Sequence, residues 1–377
     1  MWELNKIIRL LIMYFGGLSL ISSILAMAFV KNGIPVTSGP ERLGSGVDKL
    51  TIHHNQRDVD IYIVYPPGLS AIKVPGDPLV VNLSDNPVSG GRVIPESKLD
   101  ILLSRVGMNT ASLKVLAKYY VRSIIPRGNP LKYAKEVINE KKGVLSFILP
   151  MMYPYLIYSL SYTRVKKGLF SKKKILVTGR TVIDLLSFSY CYYNKKFWCD
   201  EPIRDVPSDD DLGILNKIYP YERRIITPEG FARSMKLSID DAEKVLGRLE
   251  SLGFAQRRGL RAFYITPVYP PVSNNVSNLL KLSTRKPAPM EWSYFPFMCV
   301  KGLHNKIAMI TSFLGKICSK VSKPDILMYP YIVMGFIDSG RRKIMVYDVV
   351  QKRYDDRVSE LIKTLKIDEC LYILSKM

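Results

Sequence analysis

Between Arg9 and Lys31 the chain runs for 21 residues, LLIMYFGGLSLISSILAMAFV, without a charge. No feature restricts the fold more, because such a run must be hidden from water in a bilayer or in a protein core. Its length matches the ~20 residues that cross a hydrocarbon layer of ~30 Å as a helix. It also exceeds the roughly 7 to 15 apolar residues usual in a signal peptide. A retained transmembrane anchor over residues 1–32 is therefore expected, with a signal segment cleaved after Ala26-x-Ala28 as the alternative. The flanking bases do not orient the span, since Lys6 and Arg9 precede it while Lys31, Arg42 and Lys49 follow it. A second uncharged stretch, 144–162, carries Pro150, Pro154 and several tyrosines, which suit a buried or interfacial segment better than a span.

Charge narrows the partners. Among 377 residues, 55 Lys and Arg face 33 Asp and Glu, a net +22 that favours nucleic acid or an anionic membrane surface. The excess is concentrated: residues 101–180 hold 16 bases and 2 acids. A body that binds nucleic acid belongs on the cytoplasmic side of the span, which leaves the glycosylation sequons at Asn82 and Asn275 without use. Five cysteines without Cys-x-x-Cys spacing and only three histidines argue against a zinc site and imply no disulfide framework. Three glutamines beside abundant Lys, Ile, Val and Tyr fit a thermophilic source.

After a Gly-, Pro- and Ser-rich linker from Gly33 to Gly46, LTIHH and VDIYIVY alternate as a hairpin about residues 55–58, and PLVVNL adds a strand. Apolar spacing predicts helices over 96–107 and 110–124. Lys114, Lys118 and Arg122 recur every fourth residue beside the apolar face, a stripe suited to a polyphosphate. Lys172, Lys173 and Lys174 precede ILVTGRTVIDLLSF, which reads as strand, turn and helix. Neither Gly90-Gly91 nor Gly179-Arg180-Thr181 supplies the frame of a phosphate-cradling loop. These elements make a basic α/β region over 47–200.

Residues 205–268 are the best punctuated. Ser208 and three aspartates open a helix ended by Pro220; Thr227-Pro228 opens a second through Met235; Ser238 caps IDDAEKVLGRLESL, which Gly253 stops. FAQRRGLRAFYI then reads as two short strands around a basic tip. Three helices followed by such a hairpin resemble the winged-helix family. That resemblance implies DNA contacts from the third helix, through Lys244 and Arg248, and from the wing, through Arg257, Arg258 and Arg261. The third helix also exposes Asp240, Asp241, Glu243 and Glu250, which repel phosphates and shift the expected contact to the wing.

A Pro-, Ser- and Asn-rich linker over 266–290 leads to a last domain, 291–377, in the order helix, strand, strand, helix, strand. Folding the hairpin about Ser339-Gly340 pairs Tyr331 with Asp348, an acid inside the apolar run IMVYDVV. This αββαβ order, with Pro324-Asp325 before the hairpin and Asp348 late in its second strand, resembles the PD-(D/E)xK nuclease superfamily. The resemblance implies a Mg²⁺ held by Asp325 and Asp348, with a lysine assisting a metal-activated water. The family's lysine position is Val350 here, and Lys352 is the nearest substitute.

The expected fold is thus α/β and multidomain: a transmembrane helix, a basic α/β region, a winged helix and a nuclease-like αββαβ domain. The expected function is that of a membrane-anchored nucleic-acid-binding protein, DNA before RNA, whose nuclease-like domain has lost its chemistry. The rivals are an active Mg²⁺-dependent endonuclease using Asp325, Asp348 and Lys352, and a structural membrane or assembly protein.

Overall fold

The computed structural model describes residues 20–44, 47–65, 78–84, 88, 90–126, 144–167, 172–200, 206–259, 261–285, 292, 294, 296–300, 302–338 and 341–365. The chain divides into two compact units. The first holds Met1–Pro154, Leu280–His304 and Asp325–Met377, and the second Tyr155–Leu279 with Asn305–Pro324.

In the first unit the apolar run supplies a helix of 12 residues, α1 (Leu20–Lys31), whose Ile24, Leu25 and Ala28 are fully buried. Ser22 shows what the helix is for. Its hydroxyl donates to the carboxylate of buried Asp48, which also accepts from the Tyr65 hydroxyl at 2.7 Å. A helix that offers a hydroxyl to a buried acid is a core helix, since burial of that acid requires such partners. Among the described residues no helix is long and apolar enough to cross a membrane. The expected single-pass anchor with a cytoplasmic body, and the transmembrane fold class built on it, are thereby overturned: the apolar side chains from Leu20 onward cover strands of their own chain. The start of the run, residues 10–19, lies outside the described residues.

Strands β1 (Val36–Gly44), β2 (Val47–His54) and β3 (Arg57–Val64) form an antiparallel meander, so the expected linker at 33–46 is largely strand. Strands β4 (Leu79–Asn82) and β5 (Arg92–Val93) extend it in parallel. Helices α2 (Glu96–Ser104) and α3 (Thr110–Lys118) follow, with Asn109 accepting the Ser112 N–H at 2.8 Å as cap. At Tyr119 the backbone turns extended (φ −118°, ψ 158°) and β6 (Tyr120–Ile124) begins, where the sequence pattern predicted a longer helix. The uncharged stretch at 144–162 becomes β7 (Val144–Lys167), 24 residues long and buried over most of its length.

From Tyr155 onward β7 belongs to the second unit and pairs antiparallel with β8 (Lys172–Asp184), between Tyr155↔Asp184 and Lys167↔Lys172. The strand-turn-helix expected after the lysines is therefore one strand. Next come β9 (Tyr190–Asn194) and β10 (Lys196–Cys199), a hairpin whose register sets Cys199 opposite Cys191. These two cysteines are joined, with Cα atoms 3.9 Å apart, and Cys299 is also disulfide-bonded. The expectation of no disulfide framework fails because strand pairing, which spacing along the chain does not reveal, brought cysteines eight residues apart together. Cys318 keeps a free thiol, pushed up to about 12 by burial.

The punctuated module also lies in the second unit. Its elements are α4 (Asp209–Ile218), β11 (Ile225–Ile226), α5 (Pro228–Met235), α6 (Ile239–Leu252), β12 (Ala255–Arg257) and β13 (Phe263–Ile265). The strands form an antiparallel sheet in the order β11-β13-β12. Ser208, Thr227 and Ser238 each accept the N–H three residues on, and Gly253 (φ +84°) closes α6 in the left-handed region that glycine adopts most readily. Ala242, Leu246, Leu249 and Leu252 form the buried face of α6.

The chain then forms α7 (Val276–Lys281) and β14 (Ser283–Thr284), inside the stretch expected to be linker, and β14 pairs with β6 in the first unit. Helix α8 (Leu303–Ile317) and β15 (Lys320–Val321) follow, the latter pairing with Leu160 and Ser161 of β7 in the second unit. In the first unit, β16 (Asp325–Asp338) runs parallel to β6 from Asp325↔Tyr120 and antiparallel to β17 (Arg341–Asp348), in the register Tyr331↔Asp348. A Cβ at Gly335 would stand 2.3 Å from the Phe147 ring, so this close approach requires glycine. Strand β18 (Arg353–Tyr354) and helix α9 (Asp356–Thr364) complete the described chain. No self-contained αββαβ domain forms among the described residues: β16 is bonded to β6, 205 residues earlier in the chain by the pairing of Asp325 with Tyr120, and most of α8 falls in the other unit. The last expected strand lies outside the described residues.

Candidate nucleic-acid interface

On α6, the two expected contact residues are differently occupied. Arg248 holds Asp211 with both edges of a fork, Nε to Oδ1 at 2.8 Å and Nη2 to Oδ2 at 2.9 Å, and the Asp211 side chain is only 5% exposed. The Arg248 guanidinium, with further hydrogen bonds from Ser208, holds the Asp211 carboxyl at about 2. Arg248 is therefore a clamp between α6 and the start of α4. Lys244 is exposed but sits 3.7 Å from Asp241, with Asp240 and Glu243 exposed beside it. The solvent face of α6 is acidic where a phosphate would approach.

The hairpin tip has the opposite character. The Arg258 N–H donates to the Ala262 carbonyl at 2.7 Å, closing the loop, and Gly259 takes the tight position at φ +69°. Arg257 stacks 4.7 Å over the Phe263 ring and donates to Glu250 at 3.3 Å. Among the described residues Arg258 bonds the neutral amide oxygen of Gln256, at 3.2 Å, and Arg261 is exposed and forms no ion pair. Exposed Arg233 and Lys236 of the α5 end add charge of the same sign. Glu229 titrates below the usual range, chiefly through its own backbone N–H and the Thr227 hydroxyl, with Arg261 of the hairpin and Arg233 of α5 contributing.

The acids expected to hold Mg²⁺ are not brought together. With Tyr331 opposite Asp348, Asp325 stands six residues further along β16, roughly 20 Å at ~3.3 Å per residue. Asp348 is fully buried and already saturated. It accepts from the Tyr329 hydroxyl at 3.0 and 3.1 Å, from the backbone N–H of Val350 at 2.9 Å and of Gln351 at 2.8 Å, and from the Gln351 amide at 2.6 Å. It caps the turn leaving β17, in which Lys352 adopts φ +54° and projects to solvent. Burial, opposed by these donors, raises its pKa. Among the described residues no group of three or more His, Cys, Asp or Glu side chains could hold a metal ion. The residues do not fit the metal, and Asp325, Asp348 and Lys352 form no catalytic set.

The remaining bases disperse. Lys114 pairs with Glu96 at 2.5 Å, and Lys118 ends α3. Arg122 lies on β6 instead of the helix, so the expected helical stripe does not exist. Lys172, Lys173 and Lys174 occupy β8, with Lys172 and Lys173 paired in register with Lys167 and Lys166. This hairpin end repeats one sign of charge on both strands, a feature the sequence reading missed because 175–188 was read as leading into a helix. The chain matches no protein-family model, no curated protein and no solved structure.

Proposed function

We propose that this is a nucleic-acid-binding protein in which residues 208–266 act as a winged helix that grips the phosphate backbone through its wing. The observation that carries the reading is the contrast inside one module. The bases of the third helix are committed to acids, Arg248 to Asp211 and Lys244 to Asp241, while Arg258 and Arg261 at the wing tip form no ion pair among the described residues, Arg261 only adding to the field at Glu229. A wing of this kind supplies backbone contacts and little base reading, so binding is tolerant of sequence and steep in salt.

The test is duplex binding by fluorescence anisotropy from 50 to 200 mM salt, comparing the full chain with R258A/R261A. The expected result is roughly tenfold weaker binding and a salt slope shallower by about 2, one unit per phosphate contact removed. Unchanged affinity and slope overturn the wing assignment. The acidic face of α6 favours a second reading, a winged helix that binds a basic protein surface; the finding that would select it is a wild-type chain with no salt-dependent affinity for DNA.

A further inference from the structure

A second group of bases forms no ion pair among the described residues, in the first unit and independent of the wing. Tyr120 and Arg122 occupy alternate positions of β6. The pairing of Ser283 with Ile124 and of Thr284 with Ser123, continued by one residue, sets Arg285 across from Arg122. Both guanidiniums turn to one ring: that of Arg285 lies 4.3 Å and that of Arg122 4.9 Å from the centroid of Tyr120. The Arg285 Nε donates to the Tyr120 hydroxyl. The Nε of Arg122 is buried and has no hydrogen-bond partner among the described residues. Asp325 is the backbone neighbour of Tyr120 on β16, yet neither arginine forms an ion pair with it or with any other described carboxylate.

Like charges directly across two strands repel, and a buried N–H without an acceptor is costly, so this arrangement lacks an anion. We propose that Tyr120, Arg122 and Arg285 bind a phosphate group. Two guanidinium forks on one ring offer more N–H donors than the two oxygens of a carboxylate can use, and match the three or four oxygens of a phosphate. The Tyr120 hydroxyl accepts from Arg285 and so keeps its own proton for a phosphate oxygen. β6 is held on its other side by β16, from Tyr120↔Asp325 to Ser123↔Met328, which makes the platform rigid.

The test is titration of the full chain with inorganic phosphate at fixed ionic strength, read as broadening of the phosphorus resonance. Wild type should bind saturably, R122Q/R285Q at least tenfold more weakly, and K195Q/K196Q, which removes two exposed charges of the second unit, within twofold of wild type. R285Q alone alters only an exposed side chain and should weaken binding at least threefold, so the test survives misfolding of the double variant. Absence of saturable binding, or equal losses in the two double variants, overturns the site. Paired trinucleotides with and without a 5′-phosphate separate the sources. Preference for the phosphorylated form assigns a terminal monoester; equal binding of both, lost in R285Q, assigns the phosphodiester.

Discussion

Two acids that are almost completely removed from water, Asp211 in the module and Asp348 after the β16–β17 hairpin, are held in opposite ways. Asp211 is kept ionised by a cation: the Arg248 fork lowers it to about 2. Asp348 is held by neutral donors alone, Tyr329, Gln351 and two backbone N–H groups, and burial raises it. The difference shows that a buried carboxylate is no pointer to chemistry once its donors are counted. Both acids organise a junction, Asp211 between two helices and Asp348 at a turn. The groups with unused capacity are cations instead, at the wing tip and around Tyr120.

The comparison breaks first at Asp348. Asp348→Ala leaves the Tyr329 hydroxyl and two turn N–H groups without their acceptor, and should cost about 3 kcal/mol in urea unfolding, at ~1 kcal/mol or more for each group. A loss below about 1 kcal/mol would mean that water replaces the carboxylate and the turn does not depend on it. Next is Arg248→Met, which strands the Asp211 charge. Because Arg248 is half exposed, the cost at pH 7 should be only about 1 to 2 kcal/mol. The sign with pH is fixed. Asp211 has a depressed folded pKa, so its contribution is complete above the unfolded value near ~3.9 and is lost as pH falls through about 2. Arg248→Met should therefore flatten the fall in stability between about pH 4 and 2; an acid limb identical to wild type would deny Arg248 its role.

The same distinction between local and distant causes separates what the sequence disclosed from what it hid. Ser208, Thr227, Ser238 and Gly253 act through bonds spanning three or four residues, so their helices could be placed from spacing alone. The Tyr331↔Asp348 register likewise followed from one turn. The apolar run ending at Lys31 fits a span and a core helix equally well by hydropathy, and only Ser22 meeting Asp48 decides between them. Residues 120–124 carry helical spacing but become a strand because β16 and β14 offer ladder partners from far along the chain. Arg285 lay inside a stretch whose prolines and serines read as linker, so the platform around Tyr120 had no local signal. The acids at 325 and 348 carried a motif order without its geometry, because the same register leaves Asp325 six residues beyond the partner of Asp348.

The smallest effect tests the chemistry of Asp348 most directly. Tyr329→Phe removes one donor and leaves Gln351 and the turn N–H groups, so it should cost about 1 kcal/mol at pH 7. Asp348 has a raised folded pKa, so its contribution to stability is fully present below the unfolded value near ~3.9 and is lost as pH rises through the folded one. The Tyr329 hydroxyl favours the ionised form, and deleting it raises the folded pKa further. The penalty for Tyr329→Phe should consequently be largest at neutral pH and shrink on acidification, once the carboxyl is protonated. That window lies above the one in which Arg248→Met loses its effect. Unfolding curves for both variants from about pH 7 to about pH 2 would compare the two acids directly. A Tyr329→Phe penalty that is constant across this range would show that the hydroxyl contributes through packing, and would remove the claim that neutral donors support the charge of Asp348.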